Sequence, residues 1–77
     1  MARVGVRVKV YGRVQGVFFR ACMKEEADKL GLDGWVKNMP DGTVESFIVG
    51  DEEKVRKLVE WCRRGPPLAK VSKIETW

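Results

Sequence analysis

An α+β sandwich built in the order strand, helix, strand, strand, helix, strand is what this sequence predicts, and three observations predict it. Val4, Val6, Val8 and Val10 alternate with mostly polar neighbours, the period of a half-buried strand. Two later stretches, from about Phe19 to Leu30 and from Asp51 to Cys62, repeat their apolar residues at helical spacing instead. The length of 77 residues permits only a small core, since a chain of this size buries only about 60% of its unfolded surface, so a single domain over residues 1–77 is expected.

The elements follow in order. The first strand runs from Arg3 to Tyr11, and the glycine-punctuated segment Gly12-Arg13-Val14-Gln15-Gly16 breaks its alternation. In the first helix Phe19, Met23, Ala27 and Leu30 form one stripe, and Gly31 is its C-terminal cap. Gly34 to Asn38 is a short extended run, Pro40-Asp41-Gly42 is a turn signal, and Thr43 to Val49 is rich in β-formers, which together read as a hairpin. After Gly50, the acidic Asp51-Glu52-Glu53 suits the positive end of a helix whose apolar stripe is Val55, Leu58, Val59 and Cys62, and Gly65-Pro66-Pro67 ends it. Lys70 to Trp77 carries Val71 and Ile74 without clean alternation and is read as the last strand.

This order is the split βαβ, or ferredoxin-like, arrangement: a mainly antiparallel sheet with two antiparallel helices on one face. A right-handed crossover makes strands 1 and 2 parallel, and the hairpin places strand 3 antiparallel between them. The C-terminal ends of strands 1 and 2 then share one edge of the sheet. That edge brings the Gly12 to Arg20 loop near Asn38, where open sheets tend to bind ligands.

Composition removes several kinds of chemistry. There is no histidine, hence no Ser-His or Cys-His nucleophile pair, no histidine-based zinc site and no imidazole base. Cys22 and Cys62 are too far apart for a Cys-x-x-Cys motif, and neither is followed by arginine at the sixth position. No Asp-x-Asp occurs, and the acidic residues suggest no cation cage, so neither metal nor cofactor is expected. No apolar run approaches the roughly 20 residues of a membrane span, and the N-terminus enters its strand pattern directly, so a cytoplasmic location is expected. A net charge of +4 favours an anionic partner without naming it.

The loop suggests which anion. Glycines between a strand and a helix let successive backbone N–H groups turn inward around a phosphate, and Arg20 at the first helical turn adds a guanidinium fork for two of its oxygens. The segment matches neither Gly-x4-Gly-Lys-Ser/Thr nor Gly-x-Gly-x-x-Gly, so nucleotide binding is not indicated. Taken alone, such a connection is more often a plain turn, and Asn38 before a hairpin is more often a turn residue. Sharing an edge changes their meaning. The Asn38 amide can accept a hydrogen bond from water and aim that water at a bound phosphoryl group, but it is too weak a base to take the proton, which must go to the substrate.

Gly12-Arg13-Val14-Gln15-Gly16-Val17-Phe18-Phe19-Arg20, Gly34-Trp35-Val36-Lys37-Asn38-Met39-Pro40-Asp41-Gly42-Thr43-Val44-Glu45 and Gly65-Pro66-Pro67-Leu68-Ala69 together closely resemble the acylphosphatase family over nearly the whole chain. The resemblance implies metal-free hydrolysis of carboxyl-phosphate mixed anhydrides. It assigns phosphate binding to the backbone N–H groups of Gln15, Gly16, Val17, Phe18, Phe19 and Arg20, and catalysis to Arg20 and to Asn38, which positions the attacking water. A carboxylate leaves readily and the phosphoryl transition state is loose, so electrostatic stabilisation and water placement suffice without metal, nucleophile or strong base. The implied partners are a small acyl phosphate and inorganic phosphate, with neither nucleic acid nor membrane.

Two alternatives stand beside that reading. An RNA-binding sheet shares the element order, but strand 3 carries one aromatic, lacks the Lys/Arg-Gly-Phe/Tyr-Gly/Ala-Phe pattern and places Glu45 among its residues. An acylphosphatase-like phosphate-binding or regulatory domain without turnover would keep the cradle. Family members usually continue about a dozen residues past the position of Trp77 into a further strand; without it a sheet edge is unpaired, and a dimer or strand exchange becomes an option beside the family's monomer. Antiparallel helices bring Cys22 towards Cys62, which allows a disulfide, and two buried free thiols are the expectation.

Overall fold

The computed structural model describes residues 2–77, and Met1 of the expected domain lies outside them. Six elements follow one another as β1 (Arg3–Arg13), α1 (Phe19–Lys29), β2 (Asp33–Asn38), β3 (Val44–Asp51), α2 (Glu52–Cys62) and β4 (Lys70–Thr76). The sheet order is β2-β3-β1-β4, with each neighbouring pair antiparallel. β1 and β2 therefore run the same way with β3 between them, the ferredoxin-like α+β arrangement that the crossover argument requires.

The alternation of β1 sorts its two faces. Val8 and Val10 are completely buried beside Val44 and Ile48 of β3, and Phe19, Met23, Val55, Leu58 and Cys62 of the helices close over them. Phe19 also meets the Trp61 ring edge-on at 5.4 Å, an aromatic contact worth about 1 kcal/mol beyond its burial. On the other face Arg7 and Lys37 lie over the Trp35 ring, while Lys9 and Lys73 lie over Tyr11.

Both helices stop where glycine permits a left-handed turn. Gly31 has φ 68°, and the Gly31 and Leu32 N–H groups donate back to Asp28 and Ala27, the paired bonds of a Schellman motif. Gly65, at φ 70°, donates to the Trp61 carbonyl. It also has no room for a side chain, since an added Cβ would lie 2.6 Å from the Phe19 ring.

The end of β1 and the broken alternation of β4 share one cause. β1 continues through Gly12 to Arg13 rather than ending at Tyr11, and its register against β4 shifts between Tyr11 and Gly12. This irregularity needs Gly12, whose φ is 122° and whose Cβ would collide with the backbone of β4. It also explains the broken alternation of β4: an extra residue switches faces, so Val71 and Ile74 both pack against the core although three positions apart.

Both cysteines are free, Cys62 fully buried and Cys22 partly so. Cys62 Sγ lies 3.8 Å from Met23 Sδ, and burial pushes its thiol pKa up to about 12. It is a core residue rather than a nucleophile.

Candidate active site

The loop between β1 and α1 is pinned at two points and open between them. Val14 and Val17 are buried, while Gly16 and Phe18 are exposed and take left-handed backbone angles of φ 74° and 65°. Interspersing left-handed residues turns consecutive N–H groups to one side, the geometry of an anion nest. For Gly16 this conformation is inexpensive. For Phe18 it costs about 1–2 kcal/mol, because its Cβ crowds the following carbonyl.

The nest leads directly into the N-terminus of α1. Phe18 is the N-cap, its side chain makes no capping bond, and the first turn holds no acidic residue. The positive end of the helix dipole and its unpaired N–H groups are therefore left to a ligand. Arg20, the second residue of α1, is exposed. Among the described residues no carboxylate lies within ion-pair distance of it.

Asn38 ends β2 opposite Val44, and Val44 lies opposite Val10 on β1. This row is on the helix-covered side of the sheet, close to where β1 gives way to the loop. Asn38 itself is exposed. The hairpin turn that follows it is closed by Met39 N–H to Thr43 O at 2.8 Å and Gly42 N–H to Met39 O at 3.1 Å. Asp41 caps it, accepting from the Thr43 hydroxyl at 2.5 Å and the Thr43 N–H at 3.0 Å and pairing with Lys9 at 3.0 Å. The Thr43 hydroxyl above all, then its N–H and Lys9, lower the Asp41 carboxyl pKa to about 2.

Loop and turn meet through Gln15. Its Nε2 donates to Met39 O at 2.8 Å and to Thr43 O at 2.9 Å. The Gly12 to Arg20 segment is thus hydrogen-bonded to Met39, the residue after Asn38, and to Thr43, with two refinements to the expected neighbourhood. Gly12 and Arg13 belong to the strand, and the Gln15 side chain, expected to contribute only its backbone N–H, joins the two halves. The signal available in the sequence was an amide with two donor hydrogens beside a glycine, and Asp41-x-Thr43 is likewise the spacing of an Asx turn.

A separate crevice of about 280 Å³ opens between α1 and β2 and is lined by Met23, Ala27, Leu32, Val36 and Ile48 among others. It shares no residue with the loop or with Asn38. The candidate anion site at Gly16, Phe18 and Arg20 is exposed on the surface.

A ferredoxin-like α+β sandwich with an exposed, uncapped helix start after its first strand, joined through Gln15 to the hairpin turn that follows Asn38, defines the class of small α+β domain to which the chain is compared. The family model described as Acylphosphatase matches residues 6–77. An acylphosphatase of Thermococcus kodakarensis is 56% identical over 75 residues, covering 97% of this chain and 82% of that protein. The crystal structure of acylphosphatase from Bacillus subtilis superposes with a TM-score of 0.93 at 43% identity, covering 99% of this chain and 83% of that one. The structure of an acylphosphatase from Coxiella burnetii gives 0.94 at 41%, covering 97% and 79%. The chain belongs to the acylphosphatase family. Its activity is acyl phosphate hydrolysis, with a small acyl phosphate as substrate and phosphate as product.

Proposed function

We propose that this hydrolysis is performed by the α1 nest, Arg20 and Asn38. The phosphoryl group sits in the nest, held by the backbone N–H groups of residues 15–20, while the Arg20 guanidinium binds two of its oxygens. The Asn38 side-chain oxygen accepts a hydrogen bond from one water and aligns it opposite the leaving carboxylate. The water oxygen bonds to phosphorus as the bond to the acyl oxygen breaks, the electron pair leaves with the carboxylate, and the water proton passes to a phosphoryl oxygen. Acyl phosphate and water become carboxylate and inorganic phosphate. The scheme requires neither metal nor cofactor.

The observation that carries this reading is the bare, nest-like α1 terminus joined to the Asn38 hairpin. Phosphate release from acetyl phosphate, measured with a chelator present, tests it. Arg20→Ala is expected to lose about 10²–10³-fold in kcat/KM, the scale of a removed transition-state donor, and Asn38→Ala to lose chiefly kcat. Turnover of Arg20→Ala at the parent rate would overturn the assignment.

A cytoplasmic location belongs to the same proposal, supported by two free thiols, which reducing compartments maintain. No helix among the described residues is long and apolar enough to cross a membrane. Neither nucleic acid nor membrane enters the scheme, which needs only a monomer.

A further inference from the structure

We infer that Gln15 is a positioning residue for the hydrolytic step: its side-chain amide sets the distance between the phosphate nest and the water-holding Asn38. The inference rests on the roles proposed above for those two groups. Gln15 spends both Nε2 hydrogens on one turn, at Met39 O and Thr43 O. Neither half needs those bonds for its own shape. The turn is closed by its own Met39–Thr43 and Gly42–Met39 bonds and capped by Asp41. The loop is seated by buried Val14 and Val17.

Among the described residues, the hydrogen bonds that join loop 14–18 to turn 39–43 are these two. What Gln15 fixes is therefore relative position. Met39 is the residue next to Asn38, so a shift of the turn moves the water-binding amide directly, whereas the nest N–H groups and Arg20 stay with β1 and α1. The phosphorus is held by one half and the attacking oxygen by the other, so their separation controls the reaction. A misplacement of about 1 Å at such a contact costs about 10²-fold in rate.

The experiment compares the parent chain with Gln15→Met, which keeps length and volume but loses both donors, and with Gln15→Asn, which keeps the amide but is one methylene too short. Acetyl phosphate kinetics and inhibition by inorganic phosphate are measured on each. The expected result for both variants is a kcat about 10–100-fold lower, with the phosphate inhibition constant changed less than about 2-fold, because phosphate reports the nest alone. Added to Asn38→Ala, Gln15→Met is expected to cause no further loss, since it acts through that amide. If Gln15→Met does not fold, Gln15→Asn carries the same comparison. A kcat within about 2-fold of the parent overturns the inference, as does a parallel loss of phosphate binding, which would make Gln15 a support of the nest itself. If Asn38→Ala retains full turnover, the assignment of the water site falls and the inference with it. If Asn38→Ala is inactive while Gln15→Met is not, only the inference falls.

Discussion

The two helices begin in opposite ways. The first turn of α2 has side-chain support: Asp51 accepts from Lys54 N–H at its N-cap, and Glu52 and Glu53 follow at the positive end of the dipole. The first turn of α1 has no side-chain cap and no acid, and it has a left-handed phenylalanine where a capping residue would stand. Both helices span 11 residues and lie on the same face of the same sheet. The difference between them is one of use. α2 supports its own first turn with Asp51, Glu52 and Glu53, whereas α1 lacks such support, which on the proposed function a bound phosphate supplies. A helix start that violates the usual capping preference, at a loop otherwise firmly seated, is the kind of position where stability is exchanged for function, as the proposed function has it.

The largest expected effect comes from giving α1 the character of α2. Arg20→Glu would install an acidic first turn, which the helix dipole favours by about 0.3–1 kcal/mol. The same change removes the guanidinium and sets a negative charge against the phosphate. Turnover of acetyl phosphate is expected to fall by at least about 10³-fold, while the midpoint of chemical denaturation holds or rises. Loss of activity together with a large loss of stability would mean that Arg20 is structural and that the contrast between the helices has been misread.

How far this contrast was legible in the sequence depends on the residue. Asp51-Glu52-Glu53 and the Gly31 and Gly65 stops were readable because capping is local chemistry, set by a few neighbouring residues. The valine alternation of β1 and the helical stripes were readable because burial imposes a period, and the element order followed from them. The irregularity at Gly12 was not readable, since it depends on where β4 lies, and it blurred the alternation of Val71 and Ile74 for the same reason. At the site, Arg20 and Asn38 stood out by type and edge position. The Gln15 bonds span 24 and 28 residues of sequence, and nothing local marks which carbonyls an amide will find.

A smaller effect tests the structural side. Asp51→Ala removes the α2 cap and is expected to cost about 0.5–1 kcal/mol of stability, the lower part of the range for N-caps because the bond is long at 3.4 Å. Activity of the folded variant is expected to remain at the parent level, since Asp51 lies opposite Arg3, at the end of β1 away from the loop, and at the end of β3 away from the residue paired with Asn38. Urea denaturation and acetyl phosphate kinetics on the same sample check both halves. A loss of turnover in the folded variant would break the separation between the two helix starts.

Smaller again is the effect of relieving the strain at the α1 cap. Phe18→Gly removes a left-handed penalty of about 1–2 kcal/mol but adds the backbone entropy of glycine, about 0.5–1 kcal/mol. With the ring 71% exposed, little burial is lost, and a net gain of about 0.5 kcal/mol is expected. KM for acetyl phosphate is expected to rise, because a looser residue holds its N–H less firmly in the nest. A variant that is less stable than the parent would show that the ring makes contacts which outweigh the strain.

The smallest effect concerns Asp41, which does for the hairpin what Asp51 does for α2. Its folded pKa of about 2 lies below the ordinary 3.8, chiefly through the Thr43 hydroxyl and N–H and then Lys9, so the folded chain binds this proton less readily than the unfolded one. The stabilisation is therefore fully present above about pH 4, declines as pH falls, and is gone below about pH 2. In Asp41→Asn that dependence is removed. The stability difference between parent and variant is expected to narrow steadily from pH 4 to pH 2, measured as denaturation midpoints across that range. Because the carboxylate is solvent-exposed, water screens the effect and it stays small. A constant difference across the window would mean that the turn is held by its backbone bonds and Gln15 rather than by the charge on Asp41, and the likeness between hairpin and α2 would end there.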